Sequence, residues 1–95
     1  AYSFGAQVAE VEVDEETGKV TLIQVTTAHD CGQVINELGV EGQLEGAFVM
    51  GQGYTLSENL VTDRGKILNP SFVDYKLMRA PDVPENFTSL MVETY

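Results

Sequence analysis

Residues 37–60 read ELGVEGQLEGAFVMGQGYTLSENL. The stretch holds no Pro, its apolar residues recur at three and four, and it is far too long for a strand, so it predicts a helix from Glu37 to about Leu60. Asn36 is placed to cap that helix, its side-chain oxygen accepting an amide of the first turn. At about 100° per residue, Gly39, Gly42, Gln43, Gly46, Met50 and Gly53 fall on one side within about a third of the circumference. Each interior Gly costs a helix about 1 kcal/mol relative to Ala, so a stripe of glycines must be offset by close packing, against another helix backbone or a flat rigid ligand. Gln43 tilts the reading toward a ligand. It is a neutral donor and acceptor near the positive N-terminal end of the helix, where free amides favour oxo and phosphate groups. Gln52 reads as a residue of the polar flank.

Upstream, Val8, Val11 and Val13 around Glu10 and Glu12 predict a strand over 7–13 with one wet face. Asp14-Glu15-Glu16-Thr17-Gly18 is turn chemistry ending in a residue suited to positive φ. Lys19–Thr27, with Val20, Leu22 and Val25, returns as the antiparallel partner. Downstream, Leu60–Leu68 predicts a second hairpin turning at Asp63, Arg64 and Gly65. Asn69-Pro70, Ala80-Pro81 and Val83-Pro84 make 69–86 an irregular connection. A last strand follows from Phe87 to Glu93, with Leu90 and Val92 alternating against Met91 and Glu93. The fold class is α+β: N-terminal β-hairpin, one long Gly-rich helix, short second hairpin, Pro-containing loop and final strand.

The 95 residues make one small domain or part of one. At 10.4 kDa, folded and unfolded areas scale to about 5,400 and 15,000 Å², which predicts a modest core. The chain opens on Ala1 without an initiator Met and stops at Tyr95 inside a strand pattern, so residues 1–95 are expected to be a single partial domain. Fifteen acids against five bases, a net charge of -10, argue against nucleic acid and anionic membranes as partners. One cysteine excludes an internal disulfide, and no apolar run spans a bilayer, so a cytoplasmic location is expected.

His29, Asp30 and Cys31 are adjacent at a strand end and raise the possibility of an activated thiol. No accompanying oxyanion site or orienting group is recognisable, and the cluster lacks the further soft ligands zinc needs. The simpler reading has Asp30 and Gly32 shaping a loop while Cys31 packs as a small hydrophobe. Asp14, Glu15 and Glu16 lack the alternate-residue spacing of a calcium loop and read as a solvated turn. No catalytic residue and no metal ligand is assigned within the segment.

Taken in order, Val11-Glu12-Val13-Asp14, Thr17-Gly18-Lys19-Val20, Asp30-Cys31-Gly32, Ile35-Asn36, Gly42-Gln43-Leu44-Glu45-Gly46, Gly51-Gln52-Gly53, Ser57-Glu58, Leu68-Asn69-Pro70, Asp74-Tyr75-Lys76 and Asp82-Val83-Pro84 form a succession. It resembles the C-terminal molybdopterin-binding region of the large subunit of molybdenum hydroxylases, the xanthine dehydrogenase and aldehyde oxidase family. The resemblance implies that Gln43 reaches the molybdopterin cofactor, with Gly42 and Gly46 beside it. It further implies molybdenum, a pterin in simple or cytosine-dinucleotide form, and iron-sulphur clusters and FAD on other segments or subunits. The partners implied are the rest of the large subunit and a small-molecule substrate, an N-heterocycle or aldehyde to be hydroxylated. The isolated 95 residues are not expected to be active, since the family's glutamate base lies beyond this region. Two departures stand out: Asn36 is followed by Glu37 where the family commonly has Pro, and Tyr75-Lys76 by Leu77-Met78-Arg79 where it often has Ile-Pro. The alternatives from other classes are an acidic protein-interaction module and a small thiol enzyme using Cys31.

Overall fold

The computed structural model describes residues 2–93. The elements are β1 (Phe4–Val13), β2 (Val20–Asp30), α1 (Glu37–Leu56), β3 (Thr62–Asp63), β4 (Lys66–Ile67), a 3₁₀ turn at Ala80–Asp82, and β5 (Phe87–Met91), the α+β order expected. They fall into two units, Ala1–Gly46 with Pro84–Tyr95, and Ala47–Val83, and α1 is continuous through the boundary.

In the first unit β1 and β2 pair antiparallel, and β5 joins the other side of β2 in parallel. The hairpin closes where the Gly18 amide donates to the Asp14 carbonyl at 2.7 Å, with Gly18 at φ 76°. Asp14 Oδ1 accepts the Glu16 amide at 2.9 Å and the Thr17 amide at 3.3 Å. Those two backbone bonds hold the Asp14 carboxyl below the usual carboxylate range.

Pairing along the hairpin steps from Glu10 opposite Gln24 to Val11 opposite Leu22, so Ile23 is an extra residue bulged out of β2. The bulge reverses the parity of β2. Val25 and Thr27 thereby share a face with Leu22 and Val20, opposite Ala9, Val11 and Val13 and beside Phe87, Ser89 and Met91. Burial follows the register, with Val25 fully buried and Thr27 5% exposed, while Gln24, Thr88 and Leu90 on the other face stay exposed. β5 stops at Met91 rather than Glu93, and it half-buries Phe87, Ser89 and Met91 and not Leu90. Its parallel register beside Val25 and His29 sets that phase. The strand reading over Thr94 and Tyr95 lies outside the described residues.

Size scaling predicts a modest core, and the structure corrects this. Val25 is the sole buried hydrophobic side chain among the described residues, and the exposed area is 7,678 Å² against about 5,400 Å² for a self-contained chain of this mass. The scaling assumes apolar side chains that cover one another. Here every residue of β1 is exposed, Phe4 at 74% and Val8 at 69%, and Leu38 and Tyr54 of α1 also face outward.

Helix α1 begins at Glu37, as expected, because Asn36 Oδ1 accepts the Gly39 amide at 3.0 Å. It ends at Leu56, four residues short of the expected Leu60. The Ser57 and Glu58 amides both donate to the Gly53 carbonyl, at 3.0 and 2.8 Å, and the longer of these closures terminates the helix.

In the second unit the predicted hairpin is present but short, β3 to β4, with Arg64 at φ 50° and Gly65 at φ 82°. Two left-handed residues in succession are the I′ turn that matches strand twist. Asn69 is buried behind it. Its Oδ1 accepts the Val61 amide at 2.9 Å and its Nδ2 donates to the Asn59 carbonyl at 2.5 Å. Asn69→Ala leaves both backbone groups unpaired and is expected to cost about 1–3 kcal/mol, with Asn69→Asp intermediate because it keeps the acceptor alone. Thermal denaturation of the intact protein carrying each variant checks the order. Residues 69–86 are irregular, as expected, apart from a turn in which the Asp74 and Tyr75 amides donate to the Ser71 carbonyl and the 3₁₀ turn at Ala80–Asp82.

Candidate functional site

The glycine stripe of α1 divides into three parts with different surroundings. A Cβ at Gly39 would meet the Asn36 side chain at 3.2 Å, so this glycine belongs to the N-cap. A Cβ at Gly53 would collide with the Glu58 carboxylate and touch Met78 Cγ at 3.4 Å. Glu58 is held there by the Tyr75 hydroxyl, which donates to Oε1 at 2.6 Å, a bond that pushes the phenol's pKa upward. The close neighbour expected along the whole stripe is thus, at Gly53, a side chain of the same unit.

At Gly42 and Gly46 a Cβ would meet nothing within 4 Å among the described residues beyond the helix's own adjoining backbone, and Gln43 between them is exposed. These three predicted site residues form an open lane without side-chain bulk beside one neutral amide. Glu41 and Glu45 stand two residues either side of Gln43 and are turned about 160° from it, so neither carboxylate shares the side of the helix that Gln43 occupies. That suits a planar, electron-rich group with hydrogen-bonding edges better than a cation.

Gln52 corrects the sequence reading. Nine residues is half a turn about the helix axis, and where Gln43 is exposed Gln52 is 8% exposed rather than on a polar flank. Its Nε2 donates to the Asp82 carbonyl at 2.8 Å, and its Oε1 is buried without a partner among the described residues. No local signal marks it, since its partner lies thirty residues away.

The Asp30 carboxylate accepts the Gly32 amide at 3.0 Å with Gly32 at φ 84°, so these residues shape the loop as expected. Cys31 is exposed instead of packing as a small hydrophobe, because the loop carries it past the end of β2. The half-buried His29 ring occupies the space over Gly5 of β1, where a Cβ would come within 2.8 Å of Nδ1. No group of three or more His, Cys, Asp or Glu among the described residues could hold a metal ion, and no helix is long and apolar enough to cross a membrane.

A sheet and a helix that leave most of their apolar side chains uncovered, with an open lane beside a neutral amide, make an α+β segment whose apolar surface its own residues do not cover. Residues 1–84 match the molybdopterin cofactor-binding domain, and the chain belongs to that family. It is 36% identical over 85 residues to the xanthine dehydrogenase molybdenum-binding subunit of Escherichia coli O157:H7, covering 87% of this chain and 11% of the relative. It is 37% identical over 93 residues to abscisic-aldehyde oxidase of Arabidopsis thaliana, covering 97% and 7%. Among solved structures it resembles quinoline 2-oxidoreductase from Pseudomonas putida 86, with a TM-score of 0.87, 32% identity and coverage of 95% of this chain and 12% of that one. It also resembles a Cu,Mo-CO dehydrogenase, with a TM-score of 0.88, 27% identity and coverage of 97% and 12%. The chain therefore spans about a tenth of the length of the relatives it matches.

Proposed function

We propose that residues 1–95 are one part of the molybdopterin-binding domain of a molybdenum hydroxylase large subunit. In this reading the segment supplies the lane of Gly42, Gln43 and Gly46 on which the cofactor lies. The observation that carries it is the open space over Gly42 and Gly46, next to an exposed neutral amide, in a chain of this family. Molybdopterin fits that lane. Its flat ring system can approach a helix that lacks Cβ atoms, and its oxo, amide and phosphate groups match the donor and acceptor of a glutamine side chain. When bound, the cofactor supplies two-electron oxidation at molybdenum, with which a carbon of an N-heterocycle or aldehyde is hydroxylated. The part of this chain is to orient: the Gln43 amide fixes the cofactor's edge while Gly42 and Gly46 let the ring settle against the backbone. The pterin is the simple or the cytosine-dinucleotide form, and iron-sulphur clusters and FAD on other segments or subunits receive the electrons.

Molybdenum analysis and pterin fluorescence of the native protein that carries this segment test the proposal. Both are expected in equal amounts with the protein. A native complex devoid of molybdenum and pterin would instead make the segment an acidic interaction module.

A further inference from the structure

The stretch 75–82 has no strand ladder and one 3₁₀ turn, yet it is tied at three points to the end of α1 and the residues after it. Tyr75 Oη donates to Glu58 Oε1 at 2.6 Å, Ser57 Oγ to the Lys76 carbonyl at 2.9 Å, and Gln52 Nε2 to the Asp82 carbonyl at 2.8 Å. The turn at the far end is closed on itself. The Asp82 amide donates to the Arg79 carbonyl at 2.8 Å, and the Arg79 amide to Asp82 Oδ2 at 2.9 Å. Of the three ties, Gln52 is the one that reaches this turn, and it does so from a buried position at the expense of an Oε1 unpaired among the described residues. A methionine would fill the same space without an orphaned acceptor, so what the site uses is the Nε2 donor.

We infer that Gln52 is a positioning residue: its amide donor fixes the 75–82 strap against α1 and so steadies the helix that carries Gln43. The second half of that statement rests on the cofactor reading; the first does not. Gln52→Met keeps length and loses the donor. Gln52→Glu sets an acceptor against the Asp82 carbonyl when ionised and restores a donor when protonated.

Peptide-level hydrogen exchange over 79–83, measured on the intact protein against wild type at each pH, reads the strap. The Asp82 carboxylate and Arg79 guanidinium, 3.8 Å apart, are present in every variant, so this comparison holds their contribution constant. Exchange is expected to rise roughly tenfold in Gln52→Met. In Gln52→Glu it should rise further at ~pH 8 and fall back toward wild type at ~pH 5, where burial favours the neutral carboxyl. Pterin retained after gel filtration should fall in both variants. Unchanged exchange, or loosening in Gln52→Glu that ignores pH, would overturn the donor role. A loosened strap with wild-type pterin content would overturn the link to the helix. Gln43→Ala, expected to lose pterin with wild-type strap exchange, separates this inference from the Gln43 contact: full pterin in that variant would sink the contact alone.

Discussion

If Gln43 contacts the cofactor as proposed, Gln43→Ala in the intact protein is expected to lower turnover or cofactor retention about 5- to 150-fold, equivalent to leaving a buried polar group unpaired at about 1–3 kcal/mol. Within the segment Gln43 is exposed, and Ala is the better helix former, so the helix itself should change by no more than a few tenths of a kcal/mol. The loss is therefore assigned to whatever lies on the lane. Gln43→Glu should be at least as damaging, because a carboxylate of similar length loses the amide donors and faces an anionic oxo or phosphate group with like charge. Glu45→Gln, about 160° round the helix from Gln43, is the matched control. Molybdenum content, melting temperature and turnover are measured on each. Wild-type turnover in both Gln43 variants, or an equal loss in Glu45→Gln, would return the helix to ordinary packing.

Gly46→Leu separates two explanations of a helical glycine. Judged by the described residues alone the change is harmless, since beyond the helix's own adjoining backbone nothing lies within 4 Å of the added Cβ and Leu improves helix propensity by somewhat under 1 kcal/mol. If the lane holds the cofactor, a branched side chain overpacks it by about 1–3 kcal/mol, and cofactor content should fall about 5- to 150-fold while the melting temperature of the cofactor-free protein is not lowered. Leu44→Met conserves volume and should cost less than about 1.5 kcal/mol. Gly53→Leu should behave oppositely to Gly46→Leu. There the side chain would displace Glu58 from Tyr75, so stability falls whether or not cofactor is present. Cofactor content indifferent to Gly46→Leu would remove the lane.

What could be read from the residues was what local chemistry decides. Asn36 had a vacant first-turn amide within reach, Gly18 and the Arg64-Gly65 pair sat where turns demand left-handed backbone, and all three act as expected. The helix survives the Asn36-Glu37 departure from the family for the same reason. The bulge at Ile23 was not legible, because parity along β2 is decided by pairing with β1 and β5. Nor was the burial of Gln52 legible. Gln43 and Gln52 share a helix and a flanking glycine, and only the strap, folded back from thirty residues further on, buries the second. The core was misjudged because a size-scaling rule knows mass but not which surfaces face their own chain. Of the candidate site, the succession of motifs marked Gly42, Gln43 and Gly46. That Gly39 and Gly53 serve the cap and Glu58 instead is decided by the side chains folded against them.

β1 pairs only with β2 among the described residues, so one flank of a ten-residue strand keeps its amides and carbonyls unsatisfied. Such a flank recruits any extended chain that matches it, and copies of itself match best. Exposed Phe4 and Val8 add adhesion to that tendency, while Glu10, Glu12 and a net charge of -10 set copies against one another. For the segment in isolation, charge repulsion is expected to hold copies apart at low ionic strength, and edge-to-edge association to become more favourable as salt screens that repulsion.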